Sequence, residues 1–237
     1  MLDGTVDFES IWLREIAPVD LPNRRGEGTS SVGIVERGQW SELGSRHRYF
    51  VKRQEAFYCR PAWNAFRPTP TLRRELRFIE RARAFGIAVP TVAHYAEGSR
   101  GRAVLVLEEV EGVVDLQQAA LGLSVQSRRG LFEDVGKTLA KLHARRILHG
   151  AIYPKHVLVE VVAPSRVWLI DFEKARRVVS RSRAAQQDLD RLFRHAPFMT
   201  RADVDAVLTG YDERVFRRVH RAAERFYKQI AAAQSKR

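Results

Sequence analysis

The chain has 237 residues, 45% of them hydrophobic, enough to bury a core as one domain or one two-lobed unit. Lys and Arg number 41 against 28 Asp and Glu, a formal charge of +13, and such a surface attracts polyanions: nucleic acid, an anionic membrane leaflet or a phosphorylated glycolipid. The only cysteine, Cys59, excludes an intramolecular disulfide, and no signal-peptide pattern or apolar run of roughly 20 residues is present, so a cytoplasmic protein is expected, with peripheral membrane contact left open.

In chain order, strands come first. Residues 31–36 and 48–54 are rich in β-branched and aromatic residues, and the polar stretch 37–44 joins them as a hairpin turn. Residues 24–31 read as mobile. Thr71 is placed to cap a helix running to Phe85, with Leu72, Leu76 and Ile79 on one face and Gly86 as terminator. Strands at 92–96 and 103–107 flank a turn at 98–101, and Gly112 ends the acidic run Glu108-Glu109-Val110-Glu111 as a hinge. Residues 125–146 form a long amphipathic helix through Leu131, Val135, Leu139 and Leu142. Strands at 157–161 and 167–170 follow, then helices near 184–194, 201–208 and 212–233.

Two segments carry the chemistry. His149-Gly150-Ala151-Ile152-Tyr153-Pro154-Lys155-His156 matches H-x-D-x-x-x-x-N of protein-kinase-type phosphotransferases, except that Ala151 stands for the Asp and His156 for the Asn. Leu169-Ile170-Asp171-Phe172-Glu173 supplies a D-F-G-like metal ligand in Asp171. The strand-then-helix order then locates the other parts. Lys52, in Tyr49-Phe50-Val51-Lys52-Arg53, sits on a strand from which a cation reaches phosphates, and Glu75 on the next helix can hold it by an ion pair. Gly28 and Ser30, in the stretch 26–33, are candidates for a phosphate-covering loop, although this stretch does not match G-x-G-x-x-G. Glu109 belongs to the segment expected to line the adenine end through its backbone.

Taken together, Phe50-Val51-Lys52-Arg53-Gln54, Thr71-Leu72-Arg73-Arg74-Glu75, His149-Gly150 with Tyr153-Pro154-Lys155-His156, and Leu169-Ile170-Asp171-Phe172-Glu173-Lys174 resemble the lipopolysaccharide core kinases of Gram-negative bacteria, in particular their InaA-like branch. The resemblance spans about residues 31–194. It implies an α+β, bilobal protein-kinase-like fold, with residues 1–109 as a strand-rich N-lobe and 110–237 as a mainly helical C-lobe. It also implies transfer of the ATP γ-phosphate to a heptose or Kdo hydroxyl of the lipopolysaccharide inner core, at the cytoplasmic face of the inner membrane. The roles it carries over are Lys52 to the phosphates, Glu75 to Lys52, Asp171 to Mg²⁺ and His156 to the second metal position, with ATP expected between Lys52 and Asp171.

Ala151 opens alternatives, because a methyl group accepts no hydrogen bond from a sugar hydroxyl. Phosphoryl transfer depends chiefly on positioning and charge neutralisation, so transfer could proceed with Tyr153, Lys155 or another carboxylate orienting the acceptor. Otherwise the chain is a pseudokinase that binds nucleotide or anionic lipid without turnover, or it transfers a different part of ATP. Plainer roles compete elsewhere: Glu75 could offset a helix N-terminus, His156 could be a buried histidine bonded to backbone, and His149 reads as a brace for the loop. His143 reads as packing, and Asp188 and Asp190 as ordinary surface or structural ion pairs. The arginine-rich stretches 73–83, 176–183 and 214–225, with Trp12, Trp40, Trp63 and Trp168, also admit a nucleic-acid-binding module, but no nucleic-acid motif accompanies them.

Overall fold

The computed structural model describes residues 7–19, 21–40, 47–60, 68–160 and 166–211, together with His220, Ala223, Glu224, Arg225, Tyr227 and Lys228. Residues 41–44 of the expected turn, Trp63, and most of the expected 212–233 helix lie outside the described residues. The chain divides into two compact units, Met1–Glu80 with Pro90–Glu111, and Arg81–Val89 with Gly112–Arg237.

The first unit is an antiparallel sheet. It begins with a short helix α1 (Phe8–Leu13) and strands β1 (Ala17–Pro18), β2 (Asn23–Arg25), β3 (Gly28–Val35) and β4 (Tyr49–Glu55). After the small pair β5 (Tyr58–Cys59) and β6 (Thr69–Pro70) come helix α2 (Thr71–Ala84), whose residues from Arg81 onward count with the second unit, and strands β7 (Val92–Glu97) and β8 (Ala103–Glu108). The order β1-β3-β4-β8-β7, with β2 beside β3, makes β4 a central strand. One face of the sheet buries Val35, Tyr49, Val51, Val104 and Val106 with Ile11 of α1 and Trp40. The hairpin expected from 31–36 and 48–54 is β3–β4, paired from Thr29↔Glu55 to Val35↔Tyr49.

Three sequence expectations change here. Residues 24–31 are ordered, because β2 folds back on β3 through a turn at Gly26, whose φ is +60°. Thr71 does not cap α2 with its own hydroxyl. It is itself helical, and its hydroxyl donates to Gln54 Oε1, which also accepts the Leu72 amide at 3.2 Å. The cap comes from β4, a partner distant in sequence. On α2 itself, Leu72 and Ile79 are buried as expected, but the third large buried residue is Phe78, and Leu76 is only half-buried.

The second unit holds β9 (Val113–Asp115), α3 (Leu116–Leu121), α4 (Val125–Ala144), β10 (Ile147–Leu148), β11 (Val157–Glu160), β12 (Val167–Leu169), β13 (Arg176–Arg177), α5 (Arg181–Arg194) and α6 (Arg201–Thr209). Strands run antiparallel in the order β12-β11-β9, and β10 pairs with β13. Local capping explains the helix starts: Asp115, Ser124 and Ser180 each accept an amide in the first turn, and Thr200 with Asp203 forms a capping box. Leu131, Val135, Leu139 and Leu142 of α4 are all buried. Arg128 ties α4 to α6 through both oxygens of Asp203 at 2.8 Å, and also donates to the carbonyls of Ala120 and Phe198. Among the described residues no helix is long and apolar enough to cross a membrane.

Two glycines of α4 differ in what surrounds them. A Cβ at Gly136 would lie 2.1 Å from the Val207 carbonyl oxygen, whereas one at Gly130 meets nothing within 4 Å. Gly136 is what lets α6 approach. Gly130→Ala should therefore stabilise the protein by about 1 kcal/mol through helix propensity, while Gly136→Ala should destabilise it by about 2 kcal/mol through overpacking, both read from urea unfolding. Gln54→Ala should cost about 1–3 kcal/mol by orphaning the Leu72 amide and the Thr71 hydroxyl, measured in the same way.

Candidate active site

In the first unit, the alternation of β4 directs Lys52 and Gln54 to the same face, and both meet α2. Lys52 Nζ lies 2.6 Å from Glu75 Oε1, with the lysine side chain 15% exposed and the glutamate fully buried. A buried carboxylate needs such a partner, and a lysine held this way presents its charge from a fixed strand. The pairing expected from the sequence is thus present.

Gly28, Ser30 and Glu109, expected around the phosphates and the adenine end, belong to the same unit. Gly28 and Ser30 lie within β3 and not in a loop. A Cβ at Gly28 would meet the Ala56 carbonyl oxygen at 2.6 Å, so backbone approach to Ala56 accounts for this glycine. Ser30 Oγ accepts from Gln54 Nε2 at 3.2 Å. The Glu109 amide donates to the Arg48 carbonyl at 2.9 Å, and its carboxylate binds the Arg48 guanidinium at 2.7 Å. Both groups are committed within the unit. Trp40, considered for stacking on bases, is buried in the sheet core.

In the second unit the motif loop leaves β10 and turns through Gly150, whose φ of +78° and approach to the Lys174 carbonyl oxygen both require glycine. The residue that organises this loop is Asp188, on α5. Of the surface or structural ion pair that the sequence admits for Asp188, the structure holds the structural kind, with the carboxylate fully buried. Its carboxylate accepts the amides of His149 at 2.7 Å and Gly150 at 2.9 Å, and His143 Nε2 at 3.0 Å. His143 Nδ1 in turn meets the Tyr211 hydroxyl at 3.0 Å. Burial opposes the charge on Asp188, but the His143 hydrogen bond, the neighbouring histidines and the Gly150 amide outweigh it and hold the carboxyl below its usual range. Helical spacing offers a signal for this residue: Asp188 shares a face of α5 with buried Ala184, Ala185 and Leu192. Asp190 does form the expected surface pairs, with Arg194 and Arg225.

His149 is buried against the Phe172 ring, centroid to centroid 4.5 Å, and its Nδ1 accepts the Ala151 amide at 3.3 Å. Burial pushes its pKa down to about 4 despite the opposing pull of Asp188, so it is neutral near pH 7 and serves as a brace. Ala151 is itself only 1% exposed. Its carbonyl accepts from His156 Nδ1 at 2.8 Å, and the same nitrogen lies 3.5 Å from Asp171 Oδ2. Asp171 is held in the left-handed region, at φ 65° and ψ 63°, before a single turn of 3-10 helix (Phe172–Lys174), and its side chain is 28% exposed. An L-residue in that conformation at the mouth of a loop marks constrained backbone.

Among the described residues no three His, Cys, Asp or Glu side chains gather as a metal cage. Mg²⁺ keeps most of its shell as water and phosphate oxygen and needs only one or two carboxylates, so Asp171 fits that ion. His156 commits Nδ1 to the Ala151 carbonyl. Imidazole is also a poorer Mg²⁺ donor than oxygen.

The family model described as "Lipopolysaccharide kinase (Kdo/WaaP) family" matches residues 9–211. Protein InaA of Escherichia coli K12 is 28% identical over 214 residues, covering 86% of this chain and 95% of its own. A 3-deoxy-D-manno-octulosonic acid kinase of Xanthomonas campestris pv. campestris is 30% identical over 228 residues, covering 90% of this chain and 81% of its own. Among solved structures, WaaP in complex with acyl carrier protein superposes with a TM-score of 0.70 at 23% identity, covering 99% of this chain and 94% of that one. The fold is that of WaaP, protein-kinase-like as the motifs implied. With a family match across both motif segments, the chain belongs to the lipopolysaccharide kinase (Kdo/WaaP) family.

Proposed function

We propose that the protein is an ATP- and Mg²⁺-dependent kinase that phosphorylates a heptose or Kdo hydroxyl of the lipopolysaccharide inner core. The observation that carries this reading is the Lys52–Glu75 ion pair at 2.6 Å, a cation held on a strand by a buried carboxylate, as phosphate positioning requires. In this reading Lys52 neutralises the nucleotide phosphates and Asp171 holds the metal, with His156 as a weaker second contact. The bound Mg²⁺ supplies charge neutralisation at the phosphates. The acceptor is a glycolipid at the cytoplasmic face of the inner membrane, and the +13 charge favours peripheral contact with an anionic leaflet. The first unit serves as the nucleotide-phosphate lobe and the second carries the loop and metal residues.

A second reading, a pseudokinase that binds nucleotide without turnover, draws on Ala151. The position is buried and carries no carboxylate, so an acceptor hydroxyl finds no base there. Against it stands the preserved loop: the Asp188 bonds to His149 and Gly150 are in place without the motif aspartate. Because phosphoryl transfer rests chiefly on positioning and charge, a kinase can lose the base and keep activity.

Incubation of purified protein with γ-labelled Mg-ATP and truncated lipopolysaccharide core acceptors separates the readings. Label should appear on the sugar with the unaltered protein and fall by about 10²-fold or more in Asp171→Ala and in Lys52→Ala. A protein that binds nucleotide yet transfers no label is the pseudokinase. Ala151→Asp should raise turnover by about 10²-fold, the usual contribution of a general base, with little change in ATP affinity. Absence of a gain would assign acceptor orientation to another group such as Tyr153 or Lys155.

A further inference from the structure

Outside the residues assigned above, the second unit contains a cavity of about 340 Å³ lined by Gly86, Ile87, Ala88, Asp134, Lys137, Thr138, Lys141, Arg166 and Val167. That volume lies within the range of small-molecule sites. One wall is a face of α4, where Asp134, Lys137, Thr138 and Lys141 recur at helical spacing, flanking the buried stripe of Leu131, Val135, Leu139 and Leu142. The other wall is the turn after α2 together with the start of β12. These are joined by the parallel bridge Ala88↔Trp168 and by the Leu169 amide donating to the Ala88 carbonyl at 3.0 Å. The cavity therefore has a hydrogen-bonded wall.

Its charges do not cancel. Lys137 is neutralised by Asp134 at 2.8 Å. No carboxylate lies within ion-pair distance of Lys141 or Arg166 among the described residues. Glu160, the cross-strand neighbour of Arg166, accepts instead from the Trp168 indole at 3.1 Å. The Arg166 guanidinium stacks on Trp168, 4.6 Å from its ring centroid, which restrains a side chain that would otherwise lose rotamer freedom on binding. Thr138, half-buried, adds a hydroxyl. A restrained guanidinium, an ammonium and a hydroxyl around one concavity is a donor set for phosphate oxygens.

We propose that this cavity, formed by Lys141, Thr138 and Arg166, binds a phosphate-bearing ligand separately from the residues assigned to phosphoryl transfer. The recognised chemistry is a phosphate mono- or diester, supplied either by a soluble phosphorylated molecule or by a lipid headgroup.

The test uses the full chain carrying Lys52→Ala, so that the proposed nucleotide-phosphate contact is silenced, and titrates inorganic pyrophosphate calorimetrically without divalent metal. One saturable site is expected, with a change in tryptophan fluorescence in step that Trp168→Phe abolishes. Adding Lys141→Ala and Arg166→Ala should weaken binding by at least about tenfold, the loss expected from removing charge-assisted contacts, with an unchanged unfolding midpoint. Equal weakening by Arg176→Ala with Arg177→Ala, an exposed basic pair elsewhere, would reduce the effect to net charge and overturn the site, as would no pyrophosphate binding at all. Vesicles of phosphatidylcholine with phosphatidic acid identify the source. Sedimentation with vesicles that depends on Lys141 and Arg166 assigns the lipid headgroup, and pyrophosphate binding without such sedimentation assigns a soluble phosphoester.

Discussion

The loop that bears the motif residues depends on one buried charge. Asp188 is shut off from bulk solvent, and it takes its bonds from the amides of His149 and Gly150 and from His143. An unpaired carboxylate in this position would be far too costly to bury, and two buried amides would be costly to leave without acceptors. Each side satisfies the other, so loop and helix can reach this arrangement only together. Arg191, one turn further along α5, adds a hydrogen bond to the Gly150 carbonyl.

This dependence bears on the unusual residue at 151. In the motif an aspartate contributes chemistry at that position, but it does not hold the loop here. The main chain around Ala151 is fixed by groups other than its side chain: its amide by His149 and its carbonyl by His156. Loss of the carboxylate therefore removes one proton acceptor and leaves the path of the backbone intact. Lys52 shows a parallel economy in the first unit. The same face of β4 that presents Lys52 to Glu75 presents Gln54 to the start of α2, so strand and helix are pinned at two points one helical turn apart, and the lysine inherits its position from that junction.

Much of this architecture is readable from local pattern. The β3–β4 hairpin, the β7–β8 pair and the apolar stripe of α4 follow from periodicity, because an amphipathic segment exposes its period wherever one face is buried. The Lys52–Glu75 pair follows from type and order, since a lone early acid on an arginine-rich helix stands out. The β2–β3 hairpin was less legible: its glycines and hydroxyls resemble those of a mobile loop, and only pairing across Gly26 reveals strand. Gln54 as the cap of α2 was invisible, because capping is normally sought next to the helix and not on a strand 17 residues away from Thr71.

What the sequence alone determined, then, is the identity and order of the chemical groups: a strand lysine, a helix glutamate, a histidine-led loop lacking its aspartate, and an aspartate before a phenylalanine. Those assignments need only residue type and spacing. The tertiary structure decided which polar groups are buried and what they face: Asp188 inside and Asp190 outside on the same helix, Ala151 enclosed, and Glu109 turned to Arg48. Burial is a property of elements packed together, and two aspartates two residues apart on one helix differ in nothing local except the direction in which they point.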